Sequence, residues 1–119
     1  MNVAITKDRC RVRCRNAREL YVVSFDEVHD RGCDLIVIDD KRVVYVIECK
    51  ESLKSGSSAN KILQQIDECV NFIKQNISKC RSIRKVYIKE RGKRSYSSFI
   101  DVLKRHGVEI YEDAFEIVS

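Results

Sequence analysis

The stretch GCDLIVIDDKRVVYVIECK, residues 32–50, decides the fold of this chain. Two apolar runs rich in β-branched residues flank the polar residues 40–42, a pattern that predicts two antiparallel strands joined by a tight turn. The predicted strands cover residues 34–39 and 43–50. Because the second run is apolar on both faces, we expect it to lie in the centre of a sheet that is covered on both sides.

The length of the turn determines which residues of the two strands face each other. If residues 40–42 form a three-residue loop, Asp34 lies opposite Glu48, whereas a two-residue loop would shift the pairing by one position. Side chains alternate along a strand, so Lys50 shares a face with Glu48 while Cys49 points to the other side. The sequence therefore predicts that Asp34, Glu48 and Lys50 converge at one end of the hairpin.

This charged trio suits the hydrolysis of a phosphodiester bond. Carboxylates on adjacent strands bind hard cations such as Mg²⁺ or Mn²⁺, so Asp34 and Glu48 are the expected metal ligands, with the Cys49 carbonyl as a further one. A bound cation would lower the pKa of a water molecule, and the Lys50 ammonium would stabilise the attacking hydroxide or the phosphorane. The structural alternative is that Asp34 caps the loop after Gly32 and that Glu48 and Lys50 form an ion pair.

The remaining segments predict an α/β protein in the order α-β-β-β-α-β-α-β, an α/β sandwich around a mixed sheet. Apolar periodicity and turn residues predict further strands at residues 21–25, 85–90 and 108–111. They also predict a helix at residues 60–76, with Asn60 as its N-cap, and a second helix from Ser97 or Ser98 to His106, which ends at Gly107. The whole chain, residues 1–119, is expected to form a single domain.

The first segment has two interpretations. Cys10, Cys14 and Ala17 are spaced like one face of a helix, and the composition of the segment favours a helix over about residues 6–20. The run RCRVRCR at residues 9–15 alternates strictly between basic and apolar residues, as a half-buried strand does. We expect the helix, with a β-hairpin as the alternative.

Composition indicates a globular protein inside the cell. Apolar residues make up 44% of the chain, too large a share for a disordered one. No apolar run reaches the roughly 20 residues that a membrane helix needs, and the N-terminus lacks the apolar core of a signal peptide. We therefore expect a cytoplasmic location, no membrane partner, and six cysteines that are buried free thiols. Intracellular proteins of hyperthermophiles, which can carry disulfides, are the exception.

The net charge of +5 is distributed unevenly along the chain. Two basic segments, residues 7–18 and 79–105, flank the more acidic residues 26–51. This arrangement fits a cation-binding centre surrounded by side chains that attract phosphates, although a solvated mixed-charge surface is the default interpretation of any one basic cluster. The side chains that we expect to contact nucleic acid are Arg11, Arg13, Arg15, Lys93 and Arg94.

The sequence GCDLIV at residues 32–37, followed by VIECK at 46–50, resembles the core of the PD-(D/E)xK nuclease superfamily. Gln65, on the following helix, is similar to the glutamine of the QxxxY motif in the RecB-like branch, although Cys69 stands in place of the tyrosine. The resemblance implies a restriction endonuclease-like αβββαβ core, with a central mixed sheet flanked by helices. It also implies an acid from the first helix, for which Asp8 and Glu19 are the candidates.

In function, the resemblance implies an Mg²⁺- or Mn²⁺-dependent deoxyribonuclease that acts as a homodimer, with RNA not excluded as a substrate. Its catalytic residues would be Asp34, Glu48, Lys50 and Gln65. Two other classes of protein fit the same sequence. One is a nucleic-acid-binding module that keeps the fold without the activity, and the other is a protein-interaction domain.

Overall fold

Strands and helices are mixed along the chain, and the α/β class is confirmed. The computed structural model describes residues 2–7, 10–29, 31–50, 56–92 and 95–119. The elements follow in the order β1 (Val3–Lys7), β2 (Cys10–Arg15), β3 (Leu20–Ser24), α1 (Phe25–Val28), β4 (Leu35–Asp39), β5 (Val43–Lys50), α2 (Gly56–Asn76), β6 (Ser82–Lys89), α3 (Ser97–Arg105), β7 (Val108–Glu112) and β8 (Phe115–Val118).

The strands form two sheets. The larger has five strands in the order β3-β4-β5-β6-β7, with β3, β4 and β5 antiparallel and β5, β6 and β7 parallel. The smaller has three strands in the order β1-β2-β8. Strand β5 is central in the larger sheet, as its apolar residues on both faces predict.

The predicted hairpin between β4 and β5 is confirmed, including its register. Arg42 has a positive φ of 63° and donates its backbone N–H to the Asp39 carbonyl over 3.0 Å, which closes a three-residue loop. Continuing the register beyond the paired residues places Asp34 opposite Glu48, as predicted. The paired positions are Leu35 with Ile47, Ile36 with Val46, Val37 with Tyr45, and Ile38 with Val44.

The five-stranded sheet is covered by helices on one face and by the small sheet on the other. One apolar cluster joins the sheet to α2 and α3, and a second joins it to β2 and β8. In the described part of the chain, the helices that pack on the central sheet therefore lie on one of its faces, and the sheet β1-β2-β8 covers the other. Among the described residues no helix is long and apolar enough to cross a membrane.

The predicted first helix over residues 6–20 is wrong, and the alternative β-hairpin is present as β1 and β2. In β2 the exposure alternates strictly, with Cys10, Val12 and Cys14 buried and the arginines between them exposed. The two-residue period lets this strand cover a sheet with one apolar face. Burial of the apolar face stabilises the strand more than the modest helix propensity of these residues would stabilise a helix.

Other differences concern the ends of elements. Helix α2 begins at Gly56, so Asn60 is an exposed residue within the helix and not its cap. Strand β6 begins three residues earlier than predicted, at Ser82, and it gains these positions by pairing with β5. The short helix α1 and the last strand β8 are not predicted from the sequence at all.

Four of the six cysteines are paired, so the expectation of free thiols is wrong for them. A disulfide between Cys10 and Cys49 links the small sheet to β5, with Cα atoms 5.6 Å apart. A second, between Cys33 and Cys69, links the segment before β4 to α2, with Cα atoms 5.9 Å apart. Both separations lie in the usual range for disulfides. The remaining cysteines, Cys14 and Cys80, are free thiols.

Candidate active site

The even-numbered residues of β5 face the helical layer. Val44 and Val46 pack in the same apolar cluster as residues of α2. Alternation along the strand continues this face to Glu48 and Lys50, at the end of the strand. The side chain of Glu48 is only 3% exposed, so a carboxyl group lies at the margin of an apolar core.

Asp34 is held against the end of β5 by backbone hydrogen bonds. Its N–H donates to the Ile47 carbonyl over 3.1 Å, and its carboxylate Oδ2 accepts from the Cys49 N–H over 2.9 Å. Its own carbonyl accepts from the Phe25 N–H over 3.1 Å. These contacts fix the Asp34 side chain beside Glu48.

The two carboxyl groups interact directly. The pKa of Glu48 rises to about 10, mainly because burial disfavours its charged form, and further because it shares a hydrogen bond with Asp34 and is repelled by its charge. The nearby ammonium of Lys50 acts in the opposite direction. The structure therefore brings together all three members of the predicted trio.

Glu48 has one unsatisfied oxygen. Its Oε2 is buried and has no hydrogen-bond partner. The buried carboxylate of Asp39, at the other end of the hairpin, is different, because it accepts bonds from the N–H groups of Lys41 (3.0 Å) and Val43 (3.1 Å). Asp39 thus has a structural role in the turn, whereas Glu48 is a buried acid with an unused ligand position.

Tyr87 is a site residue that the sequence alone does not identify. It pairs with Glu48 across β5 and β6, is fully buried, and donates its hydroxyl hydrogen to the Lys50 carbonyl over 3.2 Å. Its pKa is raised, first by burial and then by the charge of Glu48, because both disfavour the phenolate. Tyr87 therefore fixes the strand end that carries Lys50. Only the pairing of β5 with β6 reveals this position.

Lys7 and Asp26 also lie beside the trio. The Lys7 ammonium contacts the Asp26 carboxylate and lies 3.4 Å from the Asp34 carbonyl oxygen. Asp26 belongs to the short helix α1, so the structure places an acid near Asp34 from an element that the sequence does not predict. The sequence does show acidic residues before β4. Without the helix α1, however, nothing in the sequence distinguishes Asp26 from a loop residue.

Glu19, one of the two candidate acids of the predicted first helix, is not in the site. Glu19 is exposed between β2 and β3, and the adjoining Leu20 pairs with Asp39 at the loop end of the hairpin. At about 3.3 Å per residue, that end is roughly 16 Å from Asp34. Asp8, Lys93 and Arg94 lie outside the residues that the structure describes.

Gln65 lies on α2, half-buried at the flank of its apolar face. It lines an open cleft of about 590 Å³ together with Arg31, Gly32 and residues of α2. The residues that line this cleft in the described part of the chain do not include the trio. Gln65 is thus next to the segment that leads into Asp34, and no described contact joins it to the carboxyl pair.

The predicted arginine row is present on β2. Arg11, Arg13 and Arg15 are exposed on the outer face of the small sheet, not on the helical face that bears Glu48. The row begins beside the site, because the preceding residue, Cys10, is bonded to Cys49. The row ends at Arg15, about 13 Å from Arg11 along the strand. There Arg15 forms a salt bridge with Glu116 at 3.3 Å. Arg11 is therefore the member nearest to the trio.

No protein family, curated protein or solved structure matches this chain. The site must therefore be interpreted from its own geometry.

Proposed function

We propose that this chain is a metal-dependent nuclease that hydrolyses phosphodiester bonds in DNA with Mg²⁺ or Mn²⁺. One observation carries the proposal. Glu48 Oε2 is buried without a partner beside a second carboxylate, Asp34. When both groups are charged, such an arrangement costs free energy unless a cation offsets the repulsion and the lost hydration.

The residues fit a hard divalent cation. Asp34 and Glu48 provide carboxylate oxygens from adjacent strands, and the Cys49 carbonyl is a further proposed ligand. When bound, the cation would polarise a phosphate oxygen and lower the pKa of a water molecule. It would also favour the charged form of Glu48, whose pKa is raised to about 10 in its absence.

The chain's own residues would then orient the substrate and stabilise charge. The Cys49 N–H holds the Asp34 carboxylate in place, and the Tyr87 hydroxyl holds the Lys50 carbonyl. The Lys50 ammonium supplies positive charge beside the reacting phosphate, where negative charge develops. Membership of the PD-(D/E)xK superfamily is part of this proposal, and so is a role for Gln65.

DNA is the proposed partner, with RNA as a further possible substrate. Arg11, Arg13 and Arg15 would contact successive phosphates as a strand leaves the site. A second copy of the chain is also proposed, because one small domain offers little surface for a duplex.

A cleavage assay on supercoiled plasmid tests the proposal. Wild-type protein is expected to cut the plasmid with Mg²⁺ or Mn²⁺ and not with a chelator, and Glu48→Ala and Lys50→Ala are each expected to lose at least 100-fold in rate. Lys41→Ala is the matched control, since it removes an exposed lysine at the opposite end of the same hairpin and should leave the rate unchanged. DNA binding without cleavage would support the inactive binding module. If the protein neither binds nor cleaves DNA or RNA over a range of salt and metal, the interaction domain is left.

A further inference from the structure

A second group of ligand atoms lies beside the carboxyl pair, on the other face of β5. The Sγ atoms of Cys10 and Cys49 and a carboxylate oxygen of Asp34 all lie within 4.8 Å of one another. In the described part of the chain this is the one group of three such side chains so close together. The three residues come from β2, from the end of β5 and from the segment before β4, so the fold assembles them.

The spacing suits one tetrahedral metal ion. Zinc binds thiolate sulfur at about 2.3 Å and carboxylate oxygen at about 2.0–2.2 Å, so its ligand atoms lie about 3.5–3.8 Å from one another. On reduction the two sulfurs, which are bonded to each other in the disulfide, must move apart to reach this distance, and the Asp34 oxygen lies within 4.8 Å of both. Side-chain rotations of Cys10 and Cys49 would make this adjustment. The Asp34 carboxylate, which accepts the Cys49 N–H through Oδ2, would supply the oxygen ligand.

We propose that the reduced form of this protein binds one thiophilic divalent cation of the Zn²⁺ type through Cys10, Cys49 and Asp34, with a water molecule as the fourth ligand. The disulfide form cannot bind it in this way, because thiolate sulfurs are the ligands. The two states exclude each other. This site uses soft sulfur ligands and does not depend on the proposed nuclease activity.

A simple reductant converts the disulfide form into the form that binds the metal. A water-soluble phosphine attacks the Cys10–Cys49 disulfide and is oxidised to the phosphine oxide. The two electrons go to the sulfurs, while one water molecule supplies the oxide oxygen and the two thiol protons. Binding of the metal then releases these protons, because the ligands are thiolates.

The other disulfide is an internal control. Cys33 and Cys69 are also brought together by the fold, but both are fully buried in the apolar cluster under α2. Cys49 and Asp34, in contrast, are partly exposed, so an ion can reach them. Two thiols in an apolar core do not supply the third ligand that a zinc site of this kind needs.

Cobalt is the probe, because Co²⁺ bound to thiolates absorbs light by charge transfer whereas Co²⁺ bound only to oxygen does not do so in the same range. The full chain is reduced with phosphine, desalted without oxygen and titrated with Co²⁺ alone. The reduced protein is expected to take up one equivalent with thiolate charge-transfer absorption. The oxidised protein is expected to show none.

Variants assign the ligands. Cys10→Ser and Cys49→Ser should each abolish the absorption, and Asp34→Asn should weaken Co²⁺ affinity at least tenfold. The double variant Cys33→Ser with Cys69→Ser should retain the absorption and the stoichiometry.

Each of the following results would overturn the inference. They are no thiolate absorption in reduced wild-type protein, absorption that persists in Cys10→Ser, and an unchanged affinity in Asp34→Asn. The first needs no variant, so it decides even if a substituted chain fails to fold. Loss of absorption in Cys14→Ser with Cys80→Ser would also overturn it, since these free thiols lie outside the proposed site.

Discussion

Replacing Glu48 with glutamine should stabilise the metal-free protein at neutral pH. Glutamine has nearly the same shape as the protonated acid, and its amide can donate to Asp34 as the protonated carboxyl does. It never ionises, so it avoids the penalty of burying a group whose charged form prefers water. Near pH 7 we expect Glu48→Gln to be more stable than the wild type by about 3.5 kcal/mol.

The magnitude follows from the difference between the folded and unfolded chains. Burial and Asp34 raise the pKa of Glu48 from 4.5 to about 10, so at pH 7 it is protonated when folded and ionised when unfolded. About 2.5 pH units separate pH 7 from the unfolded pKa, and each unit is worth about 1.4 kcal/mol. The contribution of Glu48 to the stability of the wild type is therefore fully present below about pH 4.5 and is lost as the pH rises towards 10.

The assay is urea denaturation of both proteins in a chelator, with the disulfides intact, at pH 4.5, 6, 7 and 8. The difference in free energy of unfolding between variant and wild type should be small at pH 4.5 and grow by about 1.4 kcal/mol for each pH unit above it. If the difference does not change with pH, or if the variant is the less stable protein at pH 7, the reasoning about Glu48 is refuted.

Two further predictions concern the surroundings of the site. Gly32→Ala should destabilise the fold by about 3 kcal/mol or more, measured by urea denaturation. Gly32 has a φ of 125°, and an added Cβ would overlap the Phe25 ring. A loss of stability below about 1 kcal/mol would contradict this close packing. In DNA-binding titrations over a range of salt, Arg11→Ala should reduce the slope of log affinity against log salt by about 1. Arg15→Ala should change it less, because Arg15 pairs with Glu116 at the far end of the row, and an equal effect would place the DNA elsewhere.

The central hairpin could be predicted from the sequence because local rules determine it. A polar triplet between two β-branched runs allows few turns, and the three-residue loop fixes the register that brings Asp34 opposite Glu48. The apolar run at residues 43–47 is followed by the charged residues Glu48 and Lys50, and this contrast marks the candidate active site. These signals lie within residues 32–50 and need no knowledge of the rest of the fold.

The failures depend on contacts between distant segments. Residues 9–15 alternate as a strand, but the burial that stabilises this strand comes from a sheet formed by later residues. The disulfides join positions 39 and 36 residues apart, and only the packing of β2 and α2 on the central hairpin brings them together. Tyr87 joins the site through the parallel pairing of β5 and β6, which local sequence does not specify.

The most direct test of the account is the binding of Mn²⁺ to the oxidised protein by calorimetry at pH 7, in two buffers with different ionisation enthalpies. If Asp34 and Glu48 hold the cation, the wild type binds one Mn²⁺ and releases about one proton, because Glu48 must lose its proton to become a ligand. Glu48→Gln should bind at least tenfold more weakly and release none. Equal affinity in the two proteins, or no binding by the wild type, would contradict the proposed cation site.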